Sequence, residues 1–230
     1  MKIIVESDFN SMSETAKNIL LGHMAKTGRV NLSITGGNTP VKVYKKMVKV
    51  VKGSSNYDNV HYYNFDEIPV EGQKEGITMS DLRRLYLTPA GIDEKNIHPL
   101  TLENYETQDR SIEEAGGLDA MLIGLGKDGH FCGNMPGTTT FNTLTHKVTV
   151  TGEESWFVPE MMEKGLEFVT MGPVSVMRVK HLVLIVNGAE KAEMVSRVLT
   201  GPIGEDRPAS ILQLHPNLTV ILDKEAAGAL

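Results

Sequence analysis

The sequence predicts an α/β fold: a three-layer, Rossmann-like arrangement in which a mainly parallel sheet is covered by helices on both faces. Short apolar runs alternate with longer segments of helical period, which is the pattern of βαβ units. Several runs are rich in Val, Ile and Leu, as expected of strands buried on both sides. No repeat or linker interrupts the pattern over 230 residues, so we expect one domain, 1–230.

Six apolar runs are predicted to be the strands of this sheet. They are Lys2–Val5, Val30–Ile34, Val60–Asn64, Ala120–Ile123, His181–Val186 and Leu218–Leu222.

Four segments between these runs are predicted to be helices. The first begins at Ser11, with Glu14 three residues later completing a capping box. The second begins at Thr39 and Pro40, because proline at the first helical position needs no amide partner. The others are Met79–Tyr86 and Ala189–Leu199.

The segment 136–159 differs from the rest of the chain because it is rich in Thr, Gly and polar residues. It follows directly after the most motif-like segment of the sequence. We therefore expect 136–159 to form a mobile flap over a site.

Composition and charge exclude several classes of function. The formal net charge is −6, so the protein offers no basic field for nucleic acid. The single cysteine, Cys132, cannot form an internal disulfide framework or a structural zinc site. The N-terminus lacks the apolar region of a secretory signal, and no apolar run approaches membrane-spanning length. We expect a cytoplasmic protein without metal, nucleic-acid or membrane partners, and a homo-oligomer remains open.

The first candidate site is the turn Gly36-Gly37-Asn38-Thr39, between a predicted strand and a predicted helix. Glycines let the backbone approach a ligand, and the N-terminus of a helix favours an anion. These four residues are therefore candidates for binding a phosphate. The alternative is a tight strand-to-helix turn without a ligand.

The second candidate is the pair Asp66-Glu67, just after the predicted strand Val60–Asn64. The ends of parallel strands face the ligand crevice of such folds, where Asp66 could act as a base on a carbon acid. Glu67 could orient a neighbour or contact the substrate. The alternative is a solvated loop acid or a helix cap.

The third candidate is Gly124-Leu125-Gly126-Lys127-Asp128-Gly129-His130, which follows the predicted strand Ala120–Ile123. Asp128 can hold the imidazole of His130 in one tautomer, and histidine exchanges a proton near neutral pH. Gly129 would border the substrate. Taken alone, a histidine in such a loop could equally be structural. Because all three segments follow strands, together they predict acid–base chemistry on a phosphorylated substrate.

Read in order, T-G-G-N-T-P, F-D-E and G-L-G-K-D-G-H resemble the superfamily of glucosamine-6-phosphate deaminases and 6-phosphogluconolactonases. The resemblance extends to Gly188–Ala192 and to Ala209–Pro216, and so covers nearly the whole chain. The ending Gln213–Pro216 looks like the deaminases, and Asp66-Glu67 lacks the Arg that follows in lactonases.

The resemblance implies a role for each candidate residue. Asp66 would move a proton between C1 and C2 of the opened sugar, His130 would assist ring opening, and Asp128 would orient His130. Lys191 and the amides of Gly36 to Thr39 would bind the phosphate. The implied activity is a cofactor-free isomerase and deaminase for an amino-sugar phosphate.

Two departures from the deaminase pattern leave other functions open. Met135 stands where deaminases carry the Glu of an Asp-His-Glu relay, and Thr151 to Trp156 lacks their phosphate-binding Arg. Arg178 and Arg207 are alternatives for that cation. A 6-phosphogluconolactonase-type hydrolase and a non-catalytic sugar-phosphate sensor are the competing functions.

Overall fold

The computed structural model of the protein describes residues 1–154, 156–157, 159 and 162–230. Its strands, in chain order, are β1 (Lys2–Glu6), β2 (Val30–Ile34), β3 (Val60–Asn64), β4 (Asp66–Glu67), β5 (Ile97–His98), β6 (Ala120–Ile123), β7 (His146–Thr149), β8 (Glu167–Thr170), β9 (Leu182–Val186) and β10 (Leu218–Asp223). Its α-helices are α1 (Phe9–Met24), α2 (Val41–Val51), α3 (Ile77–Leu82), α4 (Thr88–Ala90), α5 (Tyr105–Glu114), α6 (Pro173–Met177) and α7 (Ala192–Thr200).

Seven strands form one sheet in the order β1-β10-β9-β6-β2-β3-β5, and every neighbouring pair is parallel. The α/β prediction is therefore confirmed, as is each of the six predicted strands. The inner strands β2, β6, β9 and β10 are buried along their whole lengths. Their carboxyl ends all meet at one edge of the sheet.

Helices cover both faces of the main sheet. Alternate side chains of each inner strand therefore pack into one of two cores, one on each face. In β9, Val183 and Ile185 pack with α1 and α2, whereas Leu182, Leu184 and Val186 pack with α5, α6 and α7. This two-sided burial explains why the inner strands read as continuous apolar runs rather than as an alternating pattern.

The start of α1 corrects one prediction. The cap is Asp8, whose Oδ1 accepts a hydrogen bond from the amide of Ser11 at 2.8 Å, and the helix begins at Phe9. Glu14 forms ion pairs with Lys17 and Lys46 instead of completing a capping box. Asp8 is the N-cap instead of Ser11 because an ionised carboxylate at a helix N-terminus is stabilised by the helix dipole as well as by the hydrogen bond.

The predicted helix Met79–Tyr86 belongs to a longer helical segment. α3 continues through a π-helical turn, Arg83–Leu87, into α4. The predicted helix Ala189–Leu199 opens with a 3₁₀ turn, Ala189–Lys191, before α7. None of the helices within the described ranges is both long and apolar enough to cross a membrane.

A small antiparallel sheet, β4-β8-β7, stands beside the main sheet and was not predicted. Asp66 pairs with Thr170 in this sheet, and Glu67 pairs with Val169. β7 lies inside the predicted flap 136–159, so part of that segment is regular structure. Ser155 and Val158, which also belong to 136–159, lie outside the described residues.

Candidate active site

The predicted site segments converge at the carboxyl edge of the main sheet. The turn Gly36–Thr39 follows β2, Asp66 follows β3, the loop 124–130 follows β6, and Lys191 follows β9 by one short loop. Because β9, β6, β2 and β3 are neighbours in the sheet, these loops are also neighbours. The parallel topology therefore assembles residues that are far apart in sequence.

A cavity of about 260 Å³ lies at this edge. Its walls include Gly36, Gly37, Asp66 and His130. Trp156 and Phe168 line another part of it, with their rings 5.5 Å apart in an edge-to-face arrangement. The cavity thus brings Asp66 and His130 together with a glycine turn and an aromatic wall.

Asp66 is held in place from several directions. Thr78 Oγ1 donates a hydrogen bond to Asp66 Oδ1 at 3.0 Å, and Asn64 Nδ2 donates to the Asp66 carbonyl oxygen at 2.9 Å. Burial raises the pKa of Asp66 to about 6, although the Thr78 hydrogen bond and the charge of His130 act in the opposite direction. A carboxylate with this pKa is ionised at neutral pH and still has useful affinity for a proton.

Glu67 is not among the residues that line this cavity. Its carboxylate accepts hydrogen bonds from the amides of Ile68, Thr78 and Met79 at 2.9–3.1 Å, and so caps the start of α3. Burial raises the pKa of Glu67 to about 7 against the effect of these amides. Its surroundings match the helix-cap alternative rather than substrate contact.

His130 and Asp128 form a close pair at the end of the loop 124–130. Nδ1 of His130 lies 2.6 Å from Oδ1 of Asp128, which also accepts the His130 amide at 3.1 Å. Burial acts to raise the pKa of Asp128, but the hydrogen bond and charge of His130 outweigh it and lower that pKa to about 2. Asp128 is therefore ionised, which favours a proton on Nδ1 and leaves Nε2 for exchange.

Gly126 makes this arrangement possible. A Cβ atom at residue 126 would lie 2.0 Å from His130 Nδ1, inside the volume of the imidazole. Any other residue here would displace His130 from its contact with Asp128. The glycine of this motif is explained by the close approach of a side chain.

The glycine turn after β2 is fixed by Tyr44, whose hydroxyl donates to the Thr35 carbonyl oxygen at 2.6 Å. Gly37 and Asn38 are exposed, and Gly37 has a φ of +84°, which favours glycine. However, the amide of Gly37 points to Oδ2 of Asp81 at 3.4 Å, and Asp81 lines the same cavity. The turn thus faces a carboxylate of the protein, and Arg84 Nη2 pairs with the other oxygen of that carboxylate at 2.6 Å.

Lys191 forms the N-cap of α7 and is half-buried. The loop before it is anchored by Asp223, whose carboxylate accepts the amide of Gly188 at 3.1 Å. Burial lowers the pKa of Lys191, Glu190 opposes this shift, and Lys127 adds to it. The structure therefore puts Lys191 near the loop 124–130, although it does not line the 260 Å³ cavity.

The two departures from the deaminase pattern occupy different positions. Met135 is buried, with 6% of its surface exposed, and is not among the residues that line the cavity. Trp156, from the segment that lacks an Arg, does line it.

Of the alternative cations, Arg178 precedes β9 and so lies at the opposite edge of the sheet, beside Gly117 and Lys180. Arg207 packs beside Gly129.

Sequence reasoning missed three residues of the site, namely Thr78, Asp81 and Asp223. Thr78 and Asp81 are on α3, which follows no strand of the main sheet, so the strand-end rule could not identify them. Asp223 was detectable in principle, because it is an acidic residue at the carboxyl end of a buried strand.

A larger cavity, of about 420 Å³, contains none of the predicted catalytic residues. It lies at the amino edge of the sheet and is lined by Asp109, Arg178 and Lys180, among others. Among the side chains that the structure describes, no group of three or more His, Cys, Asp or Glu residues is arranged to hold a metal ion.

The chain is similar to known proteins over almost its whole length. A sequence profile of the family described as glucosamine-6-phosphate isomerases/6-phosphogluconolactonase matches residues 8–221. A glucosamine-6-phosphate deaminase from Oceanobacillus iheyensis is 31% identical over 98% of this chain and 95% of its own length. A deaminase from Lysinibacillus sphaericus is 32% identical over 96% of this chain and 98% of its own.

Solved structures show the same fold. A monomeric glucosamine-6-phosphate deaminase superimposes with a TM-score of 0.88 at 25% identity, with all of each chain covered. A 6-phosphogluconolactonase from Trypanosoma cruzi has a TM-score of 0.78 at 19% identity, with 100% of this chain and 96% of its own covered. The profile match and the identities to the two deaminases show that this chain belongs to the glucosamine-6-phosphate isomerase/6-phosphogluconolactonase family and is deaminase-like within it.

Proposed function

We propose that the protein is a cofactor-free aldose–ketose isomerase and deaminase that converts glucosamine 6-phosphate to fructose 6-phosphate and ammonia. The observation that carries the proposal is the shared cavity of Asp66 and His130, in which Asp66 has a pKa raised to about 6. A base and an acid–base imidazole on one small cavity suit proton transfer next to a sugar carbonyl.

In the proposed mechanism, His130 first opens the ring. Its imidazole, oriented by Asp128, passes a proton from the C1 hydroxyl to the ring oxygen, and the aldehyde forms. Because Asp128 is ionised, it also stabilises the imidazolium that exists during this transfer.

Asp66 then acts on the open chain. Its carboxylate removes the proton from C2, the electron pair moves toward the carbonyl oxygen, and an enolamine forms. Return of the proton to C1 gives an imine at C2. Water adds to that imine and ammonia leaves, so the sum is glucosamine 6-phosphate plus water to fructose 6-phosphate plus ammonia.

The phosphate group is proposed to bind Lys191 together with amides of the turn Gly36 to Thr39. Lys191 supplies a half-buried point charge, and a glycine turn before a helix supplies N–H donors. Gly129 has a φ of +89°, a conformation that favours glycine, and it turns the chain into His130.

The test is a panel of sugar phosphates assayed for ammonia release and for ketose formation. We expect both products from glucosamine 6-phosphate with the wild-type protein, and neither with Asp66→Asn. Binding of the whole panel without turnover would instead identify a sugar-phosphate sensor.

A 6-phosphogluconolactonase-type hydrolase is the second candidate. The observation that favours it is the Asp128–His130 pair, which is complete without a third carboxylate and could activate water. It predicts accelerated opening of 6-phosphogluconolactone that is lost in His130→Ala and kept in Asp66→Asn. If His130→Ala still opens 6-phosphogluconolactone as fast as the wild type, this second function is excluded.

A further inference from the structure

The charged groups around the 260 Å³ cavity favour a cation inside it. Neither lysine nor arginine is among the described residues that line the cavity, and its two carboxylates are those of Asp66 and Asp81. Asp81 is paired with Arg84 at 2.6 Å. His130 lies 2.6 Å from Asp128, so a proton on its imidazole is balanced by that carboxylate. Asp66, which is ionised at neutral pH, therefore leaves an excess of negative charge in the cavity.

The aromatic wall of the same cavity offers a second attraction for a cation. Trp156 is the single tryptophan of the chain and is partly exposed, whereas Phe168 is buried and packs against it edge-to-face. Gly133 makes room for Phe168, because a Cβ atom at residue 133 would lie 2.5 Å from Cε2 of that ring. Among the described residues, no lysine or arginine lies over either ring. A ring face attracts cations, and that of tryptophan does so most strongly.

The small sheet β4-β8-β7 places this wall next to Asp66. Asp66 pairs with Thr170, and Phe168 is two residues before Thr170 on the same strand. Their side chains therefore share one face of the sheet, with Asp66 and Phe168 at a diagonal spacing of about 7–8 Å. A carbon atom that gives up its proton to Asp66 must lie against this face. In an amino sugar that carbon is C2, which also carries the amino group.

We infer that the ring of Trp156 binds the protonated amino group at C2 of the substrate through a cation–π contact. This contact selects amino-sugar phosphates over sugar phosphates that carry a hydroxyl group at C2, because a neutral hydroxyl gains little from the ring face. Phe168 holds the Trp156 ring in position. The inference rests on the proposed function and deepens it, since it names the residue that recognises the amino group.

The experiment compares two phosphorylated alditols that differ only at C2, namely 2-amino-2-deoxyglucitol 6-phosphate and glucitol 6-phosphate. Both lack a carbonyl group and so bind without isomerisation. Because the substitution removes the fluorescent residue, affinity is measured by isothermal titration calorimetry at neutral pH, where the amine is protonated. The proteins are the wild type, Trp156→Leu, Trp156→Phe and the matched control Phe157→Leu, which changes the neighbouring aromatic residue outside the cavity wall.

We expect the wild type to bind the amino alditol more tightly than glucitol 6-phosphate. Trp156→Leu should weaken binding of the amino alditol roughly 3- to 30-fold, the loss typical of a cation–π contact, and leave affinity for glucitol 6-phosphate unchanged. Trp156→Phe keeps a ring face and should lose less, and Phe157→Leu should match the wild type with both probes. If Trp156→Leu does not fold, Trp156→Met is measured in its place with the same expected loss.

Two results would overturn the inference and leave the proposed function intact. An equal loss for both alditols in Trp156→Leu would mean that the ring packs against the carbon chain and does not recognise the amino group. Unchanged affinity for both would remove Trp156 from the site. Ammonia release from glucosamine 6-phosphate is assayed in parallel, and a wild-type protein that binds neither alditol and releases no ammonia removes the proposed function and this inference together.

Discussion

Two glycine-rich loops follow the adjacent strands β2 and β6 and reach the same edge of the sheet, yet different charged side chains surround them. The turn Gly36–Thr39 faces Asp81, whose carboxylate lies 3.4 Å from the amide of Gly37. The loop 124–130 carries Lys127 as well as Asp128, which is paired with His130, and it packs beside Arg207, close to Lys191. From sequence the first loop was the better candidate for a phosphate.

The difference teaches that free amides at a helix N-terminus do not by themselves identify an anion site. The helix dipole contributes about 0.3–1 kcal/mol, and one nearby carboxylate can offset it. Side chains brought in from other elements decide which loop carries the favourable charge. If side chains near the two loops decide where the phosphate binds, their substitution should change binding, whereas substitution of Asp66 should change proton transfer.

The largest effect is expected for Asp66→Asn. Loss of a general base typically lowers kcat by about 10²- to 10⁴-fold, while a phosphate contact is untouched. Ammonia release and Trp156 fluorescence measure turnover and binding separately. The control is Asp81→Asn, which removes a carboxylate from the same cavity and should keep kcat within a few fold. Deuterium exchange at C2 that persists in Asp66→Asn would assign the base elsewhere.

Lys191→Ala should act mainly on binding. Removal of a half-buried cation from a phosphate contact should weaken affinity for glucosamine 6-phosphate roughly 10- to 100-fold, with a much smaller change in kcat. Lys45→Ala, which changes an exposed lysine of α2, is the matched control. Unchanged affinity for every phosphorylated ligand would separate Lys191 from the site.

Asp81→Asn should have a smaller effect in the opposite direction. If the turn Gly36–Thr39 contacts the phosphate, removal of the negative charge should tighten binding by a few fold, in line with the worth of a partly exposed charge pair. If the phosphate lies only at the Lys191 corner, affinity should be unaltered. A titration at low and high salt checks whether the change is electrostatic.

Thr78→Val should alter pH dependence. The Thr78 hydroxyl stabilises ionised Asp66, so its loss should raise the pKa of Asp66 above about 6. Because the base must be ionised, kcat/KM falls as pH drops through that pKa, and the acidic limb should move to higher pH in Thr78→Val. Thr78→Ser keeps the hydroxyl and should keep the wild-type profile. Superimposable profiles for all three proteins would contradict this role.

Met135→Glu is expected to have the smallest effect. A carboxylate near His130 would stabilise the imidazolium and raise the apparent pKa that controls kcat/KM. Met135→Gln supplies a matched uncharged control. Since Met135 is buried and does not line the cavity, a profile identical to the parent's from a folded variant would show that residue 135 does not act on His130.

Much of the fold was predictable because local sequence and long-range packing agree. Val30–Ile34 and Val60–Asn64 were predicted with the bounds that the structure has, since buried parallel strands are short, continuous apolar runs. β5 and β4, at two residues each, are too short for any period, and pairing across the sheet alone determines them.

The site was only partly predictable for a related reason. Asp66 and His130 follow strands, so the topology brings them together. Residue 126 must be glycine because the imidazole of His130 lies where a Cβ atom would be. Thr78 and Asp81 reach the cavity from α3, and Arg207 packs beside Gly129 from a loop that follows α7. No spacing rule relates such residues before the tertiary structure is known.

The most direct test of the central claim is a reaction in D₂O with glucosamine 6-phosphate, followed by NMR, for the wild type and Asp66→Asn. The proposed function predicts ammonia in equal amount to fructose 6-phosphate, with deuterium at C1 of the ketose where proton transfer exchanges with solvent, and no product from the variant. Wild-type protein that releases no ammonia while opening 6-phosphogluconolactone through His130 would contradict it.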